Sequence, residues 1–352
     1  MTISETNQNG LINVGQHGQR PGINAINFNQ YKEDFLQDLG RKDRSKNTLK
    51  NYRTDLDCFA EYLDNHCPPR GILDFGLDAV LEYGKFLQKK YTSDNSRRRR
   101  VQTLRIFFDT LVLKGLFPDN PVRKIPTSPK FLDIPRPALF AEIKTLWHYL
   151  LEEGNSANPM SAVMAKRNQV IFLLIYGAGL RVSDLAEMQQ EDLIFTDNEI
   201  RVLVRPWRRD PYSVPLPIQF RPVYEKYLES LHPMKALSQV EFSALLFNAN
   251  PYKILRGGLS PRGLEIVMEE YRSRLLIQMT PKSLRQATIM KWLNQGHSDS
   301  QIKEWLGVAP SYDLAQYKLR APQFHYNDDT LFDIYSEYVD VQDVRTAHAG
   351  PQ

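Results

Sequence analysis

Lys282 and Arg285 stand three residues apart at the start of the helical pattern PKSLRQATIMKWLN, a spacing that puts both cations on one helix face. A second helical pattern, Ser300 to Leu306, stops at Gly307, and a polar segment with two tyrosines, Tyr312 and Tyr317, follows it. Cations fixed on a helix beside a phenol on a mobile segment suit attack on a phosphodiester. The phenol is the nucleophile, and the cations neutralise the charge that builds on the phosphoryl oxygens. The same pattern also fits a solvated basic helix face, so the rest of the chain has to decide.

At 352 residues the chain is long enough for two domains, each with its own core. A composition of 42% hydrophobic and 24% charged residues excludes wholesale disorder. Two cysteines, Cys58 and Cys67, make no disulfide framework and have no metal-ligand partners at useful spacing, which points to a reducing compartment and no metal site. There is no apolar run long enough to span a membrane and no signal-peptide pattern. The expectation is a soluble cytoplasmic protein, associated with the nucleoid if its partner is DNA. The net charge of +4 hides an uneven distribution. Residues 31–135 carry 20 Lys/Arg against 15 Asp/Glu, residues 136–320 carry 23 against 19, and residues 321–352 carry 1 against 6. Two basic bodies followed by an acidic tail suit a polyanionic partner, although a balance of this size also occurs in proteins that bind none.

Several elements precede the candidate site. Residues 1–30, rich in Asn, Gln and Gly, read as a flexible arm. Residues 31–125 read as a helical bundle. Phe35, Leu36 and Leu39 face one way, Leu49 to Leu63 form a long apolar stripe capped by Ser45 or Thr48, and Leu77–Gln88 and Val101–Lys114 complete the set. Between the last two lie Arg97, Arg98, Arg99 and Arg100, at a helix N-terminus where like charges oppose the dipole unless an anion is near. Phosphate contact is the functional reading, with Thr48 and Lys50 as further DNA-contact candidates, and a solvated basic turn is the alternative. Residues 126–137, with four prolines, read as a linker.

The second domain, 138–320, opens with a helix at Phe140–Leu151 and a strongly apolar helix at Asn168–Tyr176, broken at Gly177 and Gly179. Directly after that break stands Arg181, either ion-paired with Asp184 for structure or held as a site residue by a rigid core. Alternation at Ile200, Val202, Val204 and at Tyr212, Val214, Leu216 predicts two strands joined by a basic hairpin with Trp207, Arg208 and Arg209. Residues 218–231 and 260–278 read as further helices. Residues 321–352 form the acidic tail, with an amphipathic helix expected at Asp328–Val341.

Taken in order, the bundle, the GAGLRVSDL box, the strand pair, the KSLRQATIMKWL box, Leu306-Gly307 and the late tyrosine resemble the tyrosine recombinases of the phage integrase and Xer type. That resemblance implies a mainly α fold with a small antiparallel sheet. An N-terminal SAM-like core-binding bundle and a C-terminal catalytic domain would form a clamp around double-stranded DNA. It implies strand cleavage and rejoining through a 3′-phosphotyrosyl bond and a Holliday junction, with no metal or nucleotide cofactor. The expected assembly is a tetramer on two DNA sites, with the tail docked on a neighbouring protomer; docking in cis onto its own domain is the alternative. Carried over by position, Arg181 and Arg285 are the two site arginines, Asp184 supports the first, and Tyr317 is the nucleophile, with Tyr312 next in line. A DNA-binding protein that has lost the chemistry is the alternative, and a strand-nicking or relaxing activity without exchange is a third reading.

Three positions depart from the family's pattern. Trp207 stands where the family has a lysine on the strand turn, with Arg208 and Arg209 beside it as possible phosphate contacts. Lys282 replaces the histidine of the HxxR box, as in the KxxR variant of some archaeal viral integrases. Val308 replaces the histidine of the LGH box. Arginine is a poor acid near neutral pH, so Lys282, flanked by arginines that would lower its pKa, is the candidate proton donor for the leaving 5′-oxygen. His297 matches no site position and reads as an exposed loop residue.

Overall fold

The computed structural model describes residues 28–42, 44–65, 72, 75–125, 134–206, 209–249 and 255–348, with side chains described as far as 339. The chain divides into two compact units, Met1–Phe131 and Leu132–Gln352. The expected class holds: the units are helical, and the second carries two small antiparallel sheets.

The first unit contains α1 (Phe28–Arg41), α2 (Lys46–Asp64), α3 (Leu77–Lys90) and α4 (Asp94–Leu113). Its core is aromatic. Phe59 meets the edges of Phe28, Phe75 and Tyr83 at centroid distances of 5.3, 4.7 and 5.3 Å, the perpendicular arrangement that ring quadrupoles favour. α1 starts at Phe28, inside the stretch expected to be an arm, because that ring is buried against Phe59 and Phe107. Ser45 is the cap of α2, its hydroxyl accepting the Thr48 N–H at 3.1 Å. Residues 1–27 of the expected arm, Cys67 and residues 126–133 of the expected linker lie outside the described residues.

α4 starts at Asp94, seven residues before the expected start, so the arginine run lies within the helix. The anion that this run requires comes partly from the protein. Asp55 of α2, almost wholly buried, accepts from Arg99 at 2.8 Å and from the Thr103 hydroxyl at 2.9 Å, and lies 3.9 Å from Arg100. Arg100 is itself buried, with its guanidinium 3.7 Å from the centre of the Tyr91 ring.

The second unit is built around α6 (Pro159–Tyr176), which begins at an Asn158 cap and is apolar on every side from Val170 to Tyr176. Such a helix is stable only when covered all round. α5 (Phe140–Gly154) and α8 (Phe220–Ser238) cover it, and α10 (Pro281–Asn294) packs across it. Between α6 and α8 the chain makes the short α7 (Val182–Ala186) and a three-stranded sheet of β1 (Leu193–Phe195), β2 (Ile200–Val204) and β3 (Tyr212–Leu216). Val202 opposes Val214, and Val204 opposes Tyr212. A second pair, β4 (Phe247–Ala249) and β5 (Leu255–Gly257), precedes α9 (Pro261–Leu275).

The unit ends with α11 (Asp299–Trp305), α12 (Ala315–Arg320) and α13 (Asp328–His348). The tail helix, for which the sequence leaves docking on a neighbouring protomer and docking on its own domain both open, packs in this chain onto its own unit. Leu331, Phe332, Ile334 and Tyr335 are buried, the Trp147 indole donates to the Leu331 carbonyl at 2.8 Å, and Lys291 of α10 pairs with Asp328 at 2.7 Å. The reason is the apolar face of α13, which fits the outer side of α5. Among the described residues no helix is long and apolar enough to cross a membrane.

The buried Asp55 gives a stability prediction for the first unit. Asp55→Ala leaves Arg100 and the Thr103 hydroxyl without their anion, and urea unfolding is expected to show a loss of about 2–3 kcal/mol. A loss below about 0.5 kcal/mol, the range of ordinary surface changes, would refute that role for the carboxylate.

Candidate active site

The break after α6 aims two groups at one point. Gly179 adopts φ +61°, a conformation that other residues rarely take, and its backbone packs beneath Trp292. This turn presents the Gly179 carbonyl and then Arg181 at the head of α7. Asp184 accepts the Arg181 backbone N–H at 3.0 Å and lies 3.6 Å from the guanidinium, so one carboxylate sets both the backbone and the charge. The Tyr212 hydroxyl of β3 donates to the same carboxylate oxygen at 3.4 Å.

Arg285 comes from α10, whose start is fixed by Thr280 and Ser283. The Thr280 hydroxyl accepts the Ser283 N–H at 3.0 Å, and the Ser283 hydroxyl accepts the Thr280 N–H at 2.7 Å. The Arg285 guanidinium donates to the Gly179 carbonyl and, at 3.3 Å, to that of Leu306. Burial, and then the neighbouring Arg181, lower its pKa to about 10. It therefore keeps its full charge near neutral pH.

The third contributor is the turn after α11. Gly307 has φ +57° and lies flat against the Tyr212 ring, where a methyl group would collide. Its carbonyl accepts from Arg209 at 2.8 Å, which ties the strand hairpin to this turn. From here the chain runs past the half-exposed Tyr312 into α12, which carries Tyr317. Arg181, Lys282, Arg285, Val308, Tyr312 and Tyr317 all line one open cavity of about 1320 Å3.

The expectation that both tyrosines ride on a mobile polar segment needs correction. Tyr317 belongs to a helix and is only 9% exposed. Burial pushes its phenol well above the ordinary tyrosine range and Tyr312 adds to this, while Gln286 and Arg285 oppose it. His297 also differs from expectation. It is half-buried, with its ring 4.7 Å from that of Trp305 in edge contact. Trp207 and Arg208 lie outside the described residues. Lys282 is exposed at the cavity one turn before Arg285, and Val308 is partly buried against the core.

The proposed DNA contacts of the first unit are unequal. Arg97 pairs with Asp94, Arg99 with Asp55, and Arg100 is buried. Arg98 has no ionic or hydrogen-bond partner among the described residues. Lys50 is exposed, whereas the Thr48 hydroxyl is engaged with Ser45 at 2.8 Å.

Two residues of the second unit escaped sequence reading. Tyr212 reads as one more alternating strand residue, and nothing local reveals that its hydroxyl faces Asp184. Lys291, buried with its amine against Asp328 and over the Tyr176 ring, left one signal, a lone cation in the apolar run IMKWL.

Residues 142–319 match the model of the phage integrase family, and residues 33–115 match that of the phage integrase N-terminal SAM-like domain. The chain belongs to the phage integrase family. Within that family it is 24% identical over 283 residues to the tyrosine recombinase XerC of Roseiflexus sp. strain RS-1, covering 80% of this chain and 86% of the relative. It is 24% identical over 320 residues to the tyrosine recombinase XerD of Listeria innocua, covering 88% and 99%. The fold resembles a lambda integrase dimer bound to a COC′ core site, with TM-score 0.60, 16% identity and coverage of 85% of this chain and 79% of that one. It also resembles the XerH site-specific recombinase bound to difH, with TM-score 0.58, 13% identity and coverage of 83% and 82%.

The Gly307 turn can be tested by substitution. Gly307→Ala must move the Tyr212 ring and strain the backbone, at a cost of roughly 1 kcal/mol for the conformation alone and more for the collision. Thermal unfolding should show the loss, and adding Tyr212→Ala should recover the steric part. Equal stability of Gly307→Ala and the wild type would contradict the contact.

Proposed function

We propose that this chain, a tyrosine-type site-specific recombinase by family, cleaves and rejoins DNA through a 3′-phosphotyrosyl intermediate on Tyr317. The observation that carries the reading is the convergence of Arg181, Arg285 and Tyr317 on one cavity, each brought by a different element. The two guanidiniums offer paired donors to the non-bridging oxygens of a phosphodiester, a geometry that lysine matches poorly. The Tyr317 oxygen forms the bond to phosphorus, and the bond to the 5′-oxygen of deoxyribose breaks. The phenol gives up a proton and the departing alkoxide takes one. Lys282, at the cavity edge, is the proposed donor of that proton. Attack by the freed 5′-hydroxyl of a partner strand reverses the step and gives a Holliday junction, with no external energy source because the phosphotyrosyl bond conserves that of the phosphodiester.

The proposed partner is double-stranded DNA, with Arg98, Lys50 and Arg209 as candidate phosphate contacts, and the proposed assembly is a tetramer on two sites. Exchange of the tail between protomers would first require withdrawing the buried face of α13 from its own unit. The second reading, a binding protein without chemistry, draws on one observation: Val308 offers the phosphate no hydrogen bond where the family has a histidine.

A nicked suicide duplex carrying the cognate site separates the two readings. The wild type is expected to form a covalent adduct that Tyr317→Phe abolishes. Arg181→Ala and Arg285→Ala should each slow its formation by about 100-fold or more. Lys282→Ala should slow cleavage sharply, and less so on a substrate whose 5′ leaving group needs no proton. Adduct formation that survives Tyr317→Phe, with the bond mapped elsewhere, would overturn the assignment of the nucleophile.

A further inference from the structure

The chain enters the catalytic unit through Pro135, Arg136, Pro137 and Ala138, and this short strap is fastened on two sides. Towards α10, the Ala138 N–H donates to the Ser283 carbonyl at 2.9 Å and the Arg136 N–H donates to Gln286 Oε1 at 3.0 Å. Towards α12, the Arg320 guanidinium donates to the Pro135 carbonyl. The Tyr326 hydroxyl adds a bond to the Ala138 carbonyl at 2.9 Å. The strap therefore joins the helix that carries Arg285 to the helix that carries Tyr317.

Gln286 is where this fastening meets the chemistry. It follows Arg285 in sequence, is 6% exposed, and lines the same cavity as Tyr317. A primary amide has one acceptor end and one donor end. The strap's N–H occupies the acceptor, which fixes the flip of the amide and leaves the NH2 group on the other side. We propose that Gln286 is a positioning residue for the nucleophile: the strap orients its amide so that the NH2 group holds the Tyr317 oxygen in place for attack. The inference rests on the reading of Tyr317 as the nucleophile.

The electrostatics agree. Among the influences on the Tyr317 phenol, Gln286 acts against burial and favours the ionised form, as an N–H donor to a phenolate must. This matters because the Tyr317 proton has to leave during attack, and burial alone makes its loss harder. A carboxylate in place of the amide would keep the acceptor for Arg136 and reverse the effect on Tyr317.

The test compares Gln286→Glu, which keeps the strap bond and loses the donor, with Gln286→Ala, which loses both. Adduct formation on the suicide duplex is followed from pH 6.5 to 9.5. In parallel, full-length protein labelled with 3-fluorotyrosine is titrated by 19F NMR, and the resonance missing from Tyr317→Phe identifies the nucleophile. In Gln286→Glu the Tyr317 resonance should titrate at higher pH than in the wild type. Its cleavage at pH 7.5 should fall on the order of tenfold or more, with partial recovery as the pH rises. Gln286→Ala should lose rate as well, and its thermal stability shows how much of that loss is structural. Wild-type titration and cleavage in Gln286→Glu would overturn the proposal, because a purely structural strap is preserved in that variant. If the wild type forms no adduct but its Tyr317 resonance still shifts in Gln286→Glu, the positioning contact stands and the recombination chemistry fails.

Discussion

The Arg285 guanidinium holds the catalytic unit's working parts in register. It reaches from α10 to the carbonyl of Gly179, at the break after α6, and to the carbonyl of Leu306, at the end of α11. Three separate stretches of chain are thereby referred to one planar group. A half-buried guanidinium is costly unless its donors are met, and here backbone oxygens meet them in place of a carboxylate. Among the described residues no carboxylate forms an ion pair with it, so its charge is left directed at the cavity. Asp184 is committed to Arg181 and Tyr212, and among the described residues that line the cavity six cations, Lys282 one of them, face three carboxylates, Glu265, Glu269 and Glu270. An electropositive hole of this kind is a receptor for an anion before any chemistry begins.

Two glycines allow this arrangement. Gly179 and Gly307 both adopt positive φ, and each offers its carbonyl to a guanidinium, Arg285 in one case and Arg209 in the other. Their lack of a side chain does two jobs. The backbone can turn the carbonyl towards the site, and a neighbouring ring, Trp292 or Tyr212, can close over the turn. The site is thus assembled from main-chain oxygens as much as from the side chains that a motif would name.

Much of this was legible in the sequence, for reasons specific to the segments concerned. α6 shows itself as a long apolar run, β2 and β3 by alternation, and Arg181 and Arg285 by standing in boxes with fixed spacing. Short elements left no such trace. β1, β4 and β5 are three residues each, too brief for a period of two to register. α12 escaped notice because its six residues show one apolar contact face only after folding. The roles of Tyr212, Gln286 and Lys291 depend on partners 28, 150 and 37 residues away, and no local pattern encodes such meetings. The arginine run of α4 shows the opposite error, since the sequence displays four charges and not the buried aspartate, Asp55, that takes up Arg99 and Arg100.

That aspartate has a consequence for how DNA binding should respond to salt. A phosphate contact strengthens binding at low ionic strength because the cation displaces counterions condensed on the duplex. Where a guanidinium already sits against a protein carboxylate, as at Arg97, Arg99 and Arg100, it brings less net charge to the duplex and releases fewer of those ions. The four-arginine segment should therefore count for much less than four charges in the salt dependence of binding, and Arg98 should account for most of what remains. Of what reads in the sequence as the chain's densest basic patch, two arginines, Arg99 and Arg100, are in thermodynamic terms spent on holding α4 to α2.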